Sequence, residues 1–261
     1  MNPFVRPRPV DDPAVRVVAV PHAGGSAAAY FPLLPAIPAN WDLLLLDLPG
    51  RGKRHRLPPL PNMTRIVATA VADLRPWTGP PLALFGHSMG AIVATEVAHD
   101  LVSRGIAPAW LGVSGRAAPG SGSAHAAPSH RLSDAELLRS LAEMGGLPDR
   151  LAEVPEFRDR LLSLVRADLT AVDGYRPPAG RDPLPVPLTA FGAIDDVWAP
   201  PGAVAAWRQE TTGPFRLRWF TGGHFHFVRS GFREFADVVR TEIALAVTAP
   251  VPATGPGRPT P

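Results

Sequence analysis

The sequence predicts a single α/β domain built around an open, mostly parallel sheet. Three observations on its 261 residues predict it: apolar runs that are continuous rather than alternating, helical patterns between those runs, and a 46% apolar content that suffices for one sizeable core. A strand covered on one face alternates apolar and polar side chains, whereas a strand covered on both faces reads as an unbroken apolar run.

Taken in order, the runs are VRVVAV (15–20), WDLLLLDL (41–48), PLALFG (81–86), AWLGVSG (109–115), PLTAFG (187–192) and FRLRWF (215–220). Helical patterns fall at 64–77, 89–104, 202–211 and 232–247. This alternation puts helices on both faces of the sheet, and ligands of such sheets bind beyond the carboxyl ends of the strands. The interval from Arg116 to Pro187 breaks the alternation and is too long for a structureless loop. It holds SDAELLRSLAEMG, opening on a capping-box pair, Ser133 and Glu136. After it comes PEFRDRLLSLVRADLTAVDGY, with Phe157, Leu161, Leu164, Val165, Leu169 and Val172 at helical spacing. The insertion, at about 117–185, is expected to be a mobile helical lid at the carboxyl edge of the sheet, the alternative being two helices packed into the core. The domain therefore spans 1–248. The tail 249–261, rich in proline and glycine and without apolar periodicity, is expected to be disordered. With that tail and the N-terminal methionine, a stand-alone chain is expected rather than an excised synthase domain.

Composition excludes several function classes. The chain has no cysteine, which removes disulfides, a cysteine nucleophile and thiolate metal sites, so covalent catalysis must use another side chain. The net charge is +3, Lys53 is the single lysine, and aromatics are not interleaved with basic runs, so no nucleic-acid partner is expected. No apolar stretch of about 18 residues occurs, and MNPFVRPRPVDDP carries prolines and charges where a signal peptide would be apolar. A cytoplasmic protein with no membrane partner is expected.

Chemistry enters at LFGHSMGAIVATE. Gly86-His87-Ser88-Met89-Gly90 fits G-x-S-x-G, with a buried strand running in and a helix running out, the setting in which this motif presents a nucleophilic serine on a sharp turn. A hydroxyl needs a histidine base and an orienting carboxylate, which follow the serine along an α/β-hydrolase chain in the order acid, histidine. GGHFHF offers His224 and His226. His224 follows two glycines and is preferred, while His226, between two phenylalanines, reads as a packed ring. IDDVW offers Asp195 and Asp196, of which one is expected to face His224. The oxyanion donors are expected to be the backbone amides of Met89, after the nucleophile, and Ala23, in the PHAGGSAAAY loop; His22 is read as shaping that loop.

Taken together, PHAGGSAAAYF, LPGRG, FGHSMGAIVATEVA, LSDAELLRSLAEMGG, RADLTAVDGY, FGAIDDVWAPPGAVAAW and GGHFHF resemble the type II thioesterases, discrete editing enzymes of polyketide and nonribosomal peptide synthesis, over roughly residues 15–245. The resemblance implies an α/β-hydrolase fold and a triad of Ser88, Asp196 and His224, with Asp196 selected over Asp195 by alignment on AAW, although Val197 replaces the family's usual proline. It implies hydrolysis of acyl groups from the phosphopantetheine arm of acyl or peptidyl carrier domains, met transiently by a monomer. No metal or bound cofactor is implied, since phosphopantetheine belongs to the substrate. RGKRHR (51–56), the one dense basic patch, reads equally as a carrier-docking surface through Arg51, Lys53 and Arg54 or as a solvated loop. Two rival readings are a general serine carboxylesterase or lipase of the same fold, and a catalytically silent hydrolase-like binding protein.

Overall fold

The computed structural model describes residues 2–121, 129–147, 154–228 and 231–248; the expected disordered tail lies outside them. Seven strands form one sheet: β1 (Phe4–Val5), β2 (Val15–Val20), β3 (Trp41–Leu46), β4 (Leu82–His87), β5 (Trp110–Ser114), β6 (Leu188–Ala193) and β7 (Phe215–Phe220). Their order is β1-β3-β2-β4-β5-β6-β7, and every pairing is parallel except β1 with β3. Six of the seven are runs read from the sequence. β1 is two residues long, below the length at which any side-chain period can register.

Both faces of the central strands are buried, which is why their sequences do not alternate. Val18, Val20, Leu44 and Leu46 pack on one face beneath α1 (Met63–Leu74) and α2 (Met89–Ser103). Their neighbours Val17, Ala19, Leu43 and Leu45 pack on the other, beneath the 3-10 segment Ala27–Ala36 and α6 (Phe232–Thr248). That 3-10 segment carries no apolar period, and Pro32 and Pro35 remove the donors an α-helix would need, so sequence patterning passed over it. The expected helix at 202–211 is split into a single turn and a half, α5 (Pro201–Ala205), and a 3-10 continuation, Ala206–Glu210.

β2 lies between β3 and β4, so successive connections leave it in opposite directions along the sheet. A crevice opens at such a switch point beyond the carboxyl ends of the two strands. The loop after β2 and the turn after β4 meet there.

The insertion supplies α3 (Asp134–Glu143) and α4 (Pro155–Asp173). The expected capping box is formed: Ser133 N donates to Glu136 Oε2 at 2.8 Å and Glu136 N to Ser133 Oγ at 3.3 Å. Leu137 of α3 packs against Leu162, Val165 and Leu169 of α4. One expected member of the apolar stripe departs from it: Phe157, in the first turn of α4, is 57% exposed. The rest of α4 is not a free flap. It buries the charged Asp168 together with Leu164 and Val165, and that carboxylate ties the helix to the site.

Candidate active site

β4 delivers the chain to Ser88 with φ 55° and ψ −116°, the one non-glycine residue at positive φ among the described residues. Such a conformation costs of order 1–3 kcal/mol and persists only where its surroundings over-determine it. Here they do. A Cβ on Gly86 would lie 2.0 Å from the Gly90 carbonyl oxygen, and one on Gly90 would lie 2.3 Å from that of Val20, so strand, helix and β2 close on the turn only with glycine at both places. Ser88 N donates to Ser114 O at 2.8 Å, which fixes the turn to β5. Met89 is the first residue of α2, so its amide has no acceptor within the helix.

His224 and Asp196 reach this turn from loops after β7 and β6. His224 Nδ1 lies 2.9 Å from Asp196 Oδ2, and both side chains are shielded from solvent. Asp196 Oδ1 accepts from the amides of Trp198 (3.0 Å) and Ala199 (3.2 Å). Burial alone would push this carboxyl up, but His224 and the two amides outweigh it and hold it below the ordinary aspartate value. Asp195, its neighbour, is exposed. His224 Nε2 is buried with no hydrogen-bond partner, and His224 lines the same cavity as Ser88. A base with one nitrogen held by a carboxylate and the other open toward a serine can move a proton.

Three more histidines crowd this base. The His87 ring lies 4.8 Å from that of His224, with its Nδ1 at 3.0 Å from Ser114 Oγ. His226 stacks on Phe220 at 4.9 Å and neither of its nitrogens has a partner, as a packed ring would show. His22 holds its own loop, with Nδ1 2.9 Å from Ala23 O. Burial pushes His22 and His226 down to about 4 and holds His87 well below the ordinary histidine value, so all three stay neutral around His224.

Ala23 lines the same cavity as Met89, and its loop is fixed from outside its own stretch of sequence. Gly24, at φ +74°, donates its amide to Asp168 Oδ2 of α4 at 2.8 Å, and a Cβ there would meet Val165 Cγ2 at 2.5 Å. Arg51 holds the same carboxylate with both terminal nitrogens, at 2.8 and 2.7 Å, and Nη1 also donates to Gly25 O at 3.2 Å. The ion pair is buried on both sides, so Arg51, α4 and the Ala23 loop form one unit. A signal was available: Asp168 falls among Leu164, Val165, Leu169 and Val172 on the apolar face of its helix, where an acid needs a partner.

This finding corrects the docking expectation for 51–56. Arg51 is 4% exposed and serves Asp168, and Arg54 pairs with Asp73 and donates to Asp47 O. Of the basic and histidine side chains in that patch, Lys53, His55 and Arg56 are exposed. It also narrows the lid expectation, because the middle of α4 is footed in the body through a buried charge pair.

The cavity over Ser88 has a volume of about 460 Å3 and is walled by Ile92, Met144, Leu169, Trp198 and Trp207. A second cavity, about 640 Å3, shares His22, Ala23, Leu141, Val165 and Phe225 with the first and runs out past Gly145 and Pro32. Among the described residues no group of three or more histidine or carboxylate side chains is placed to hold a metal, and no helix is long and apolar enough to cross a membrane.

The model of the thioesterase domain family matches residues 15–243. The chain belongs to the thioesterase family. It is 35% identical over 249 residues to the thioesterase PikA5 of Streptomyces venezuelae, covering 93% of this chain and 85% of that one. It is 34% identical over 242 residues to a probable cadicidin biosynthesis thioesterase of Streptomyces griseus, covering 93% of this chain but spanning only 65% of that relative. The solved type II thioesterase BorB, from the borrelidin biosynthetic cluster, superposes with a TM-score of 0.78 at 34% identity, covering 94% of this chain and 95% of BorB. These two relatives are named as thioesterases, and the solved type II thioesterase shares the fold seen here.

Proposed function

We propose that this thioesterase is a serine hydrolase that removes acyl groups from the phosphopantetheine arm of carrier domains, clearing misprimed or stalled chains from a polyketide or peptide assembly line. One observation carries the proposal: a histidine held by a buried aspartate at 2.9 Å, its other nitrogen unpartnered in a cavity shared with a serine on a strained strand-to-helix turn. The family membership and the biosynthetic relatives support it.

The proposed steps use these groups in turn. His224 Nε2 takes the Ser88 proton as Oγ attacks the thioester carbonyl, and Asp196 steadies the resulting imidazolium through Nδ1–H. The amides of Met89 and Ala23 receive the oxyanion, at the positive end of α2. The carbon–sulfur bond breaks, and the leaving thiolate takes the proton from His224. Water then attacks the acyl-serine with His224 as base, releasing the acid and restoring Ser88. The first cavity suits the acyl chain, while the second, open past the loop after β2, suits the arm. No organic cofactor enters these steps. The reading makes the carrier a transient partner of a monomeric enzyme, met in the cytoplasm where carriers are loaded, and the exposed remnant of the basic patch, Lys53 and Arg56, is its candidate contact.

The test is acyl release from an acetyl- or propionyl-loaded carrier protein by the enzyme and by Ser88→Ala. Release that falls by about four orders of magnitude or more in the variant is the expected result. Faster cleavage of oxygen esters than of carrier thioesters of equal acyl length would overturn the carrier assignment, and full activity in the variant would overturn the serine mechanism.

A further inference from the structure

Arg116 follows β5 by two residues and lines the cavity that holds Ser88 and His224. It is partly buried. Arginine keeps its charge at any working pH, so a cation shielded in this way needs an acceptor from protein, water or ligand. Other shielded arginines of the molecule have one: Arg16 faces Asp42, Arg51 faces Asp168 and Arg181 faces Glu96. Among the described residues Arg116 has none: its side chain has no hydrogen bond or ion pair there, and only its backbone oxygen is used, by Trp207 Nε1 at 2.7 Å.

The groups that could have neutralised it are engaged elsewhere. Asp173 accepts from Ser129 Oγ at 2.8 Å and lies 2.6 Å from His130 Nδ1. Tyr175 gives its hydroxyl to Glu96 at 2.6 Å, and that carboxylate is held again by Arg181 at 2.7 and 2.9 Å. Burial pushes the guanidinium below the ordinary arginine value, and the nearby Tyr175 and Asp173 do not offset it. The rest of the wall is mostly apolar, with Thr95 and Tyr175 adding hydroxyls, and Arg116 is the one arginine, lysine or carboxylate side chain among its described lining residues.

We propose that Arg116 is the recognition group of the acyl cavity for a carboxylate on the acyl chain, making dicarboxylic half-thioesters preferred substrates of this enzyme. The inference rests on the thioesterase reading above and adds the substrate class. A carboxylate matches the planar fork of a guanidinium, and it is the anion an acyl chain most simply carries at its far end. A mostly apolar wall would otherwise disfavour that anion, because no other arginine or lysine among the described lining residues offsets its desolvation.

The probes are N-acetylcysteamine thioesters in pairs of equal carbon number: malonyl with propionyl, succinyl with butyryl, glutaryl with valeryl. They carry no carrier protein and so separate acyl recognition from docking. We expect kcat/KM, corrected for spontaneous hydrolysis, to favour the diacid in at least one pair, the favoured length reporting the reach from Ser88 to Arg116. In that pair Arg116→Met lowers the diacid-to-monoacid ratio roughly tenfold or more, the size of a charged hydrogen bond, and Arg116→Lys retains part of it. Monoacids favoured in every pair by the wild type, or a ratio unmoved in Arg116→Met, would overturn the proposal while leaving a working thioesterase. No turnover of any thioester, small or carrier-bound, by the wild type would instead overturn the reading on which it rests.

Discussion

The turn that carries Ser88 and the loop that carries Ala23 line one cavity, and both use positive-φ backbone, 55° at Ser88 and +74° at Gly24. They are held by different forces. The Ser88 turn is fixed by its own neighbours: Gly86 and Gly90 let β4 and α2 close to distances that any Cβ would forbid. The Ala23 loop is fixed from far along the chain, by Asp168 of α4, itself neutralised by Arg51. A local device shows in a five-residue motif. A device spread over residues 24, 51 and 168 shows only when the chain is folded.

The contrast can be broken at each side. The largest effect is expected at the base. Asp196→Asn, which keeps the shape but not the charge beside His224, should lower kcat by about four orders of magnitude. Asp195→Asn, at an exposed position, should leave kcat within about twofold, in line with surface substitutions generally. Steady-state kinetics on one thioester decide it, and equal losses in the two variants would remove Asp196 from its role.

The next effect is at the distant footing. Asp168→Ala leaves Arg51 charged and buried, which should cost about 3–5 kcal/mol in chemical denaturation. Arg51→Met combined with Asp168→Leu replaces the pair by apolar groups and should recover most of that stability. It should still show kcat lowered by about a hundredfold with KM little changed, because Gly24 N–H loses its acceptor and the Ala23 amide its aim. A double variant with full kcat would show that the pair stabilises the fold without positioning the loop.

The smallest effect tests the neutral histidines. His22 and His226 sit at about 4 in the folded state against 6.5 for an unperturbed side chain. Between those values the unfolded chain binds more protons, so stability should fall as pH drops from about 6.5 toward 4, by on the order of 1–3 kcal/mol, and be flat above. Asp196 acts in a lower window: its folded value is depressed, so its contribution is present above its unfolded value of 3.8 and lost as pH falls through the folded one. Denaturation curves at pH 7.5, 5.5 and 4.5 measure this, and His226→Phe should flatten the upper slope. Stability that does not change over that range would contradict neutral burial.

Much of this site was legible because its parts are local. Ser88 sits in a motif whose glycines and flanking strand and helix can be read within ten residues, and the GG before His224 marks a loop that presents a ring. Local chemistry leaves Asp195 and Asp196 alike and alignment on AAW selects Asp196; the fold puts Asp196 Oδ2 at His224 and turns Asp195 to solvent. The basic patch shows the limit most plainly, since Arg51 and Lys53 read alike in sequence, yet one is buried under α4 and the other is exposed.

The sequence by itself therefore determined the layers of the fold, the six long strands, the two helices of the insertion and the serine, because each rests on side-chain periods or turn chemistry spanning a few residues. Tertiary structure alone decided that α4 is footed on Arg51 and that Arg116 lines the cavity over Ser88 with no ion pair among the described residues. Those outcomes depend on burial and on distances between residues far apart in the chain, and no local pattern encodes either.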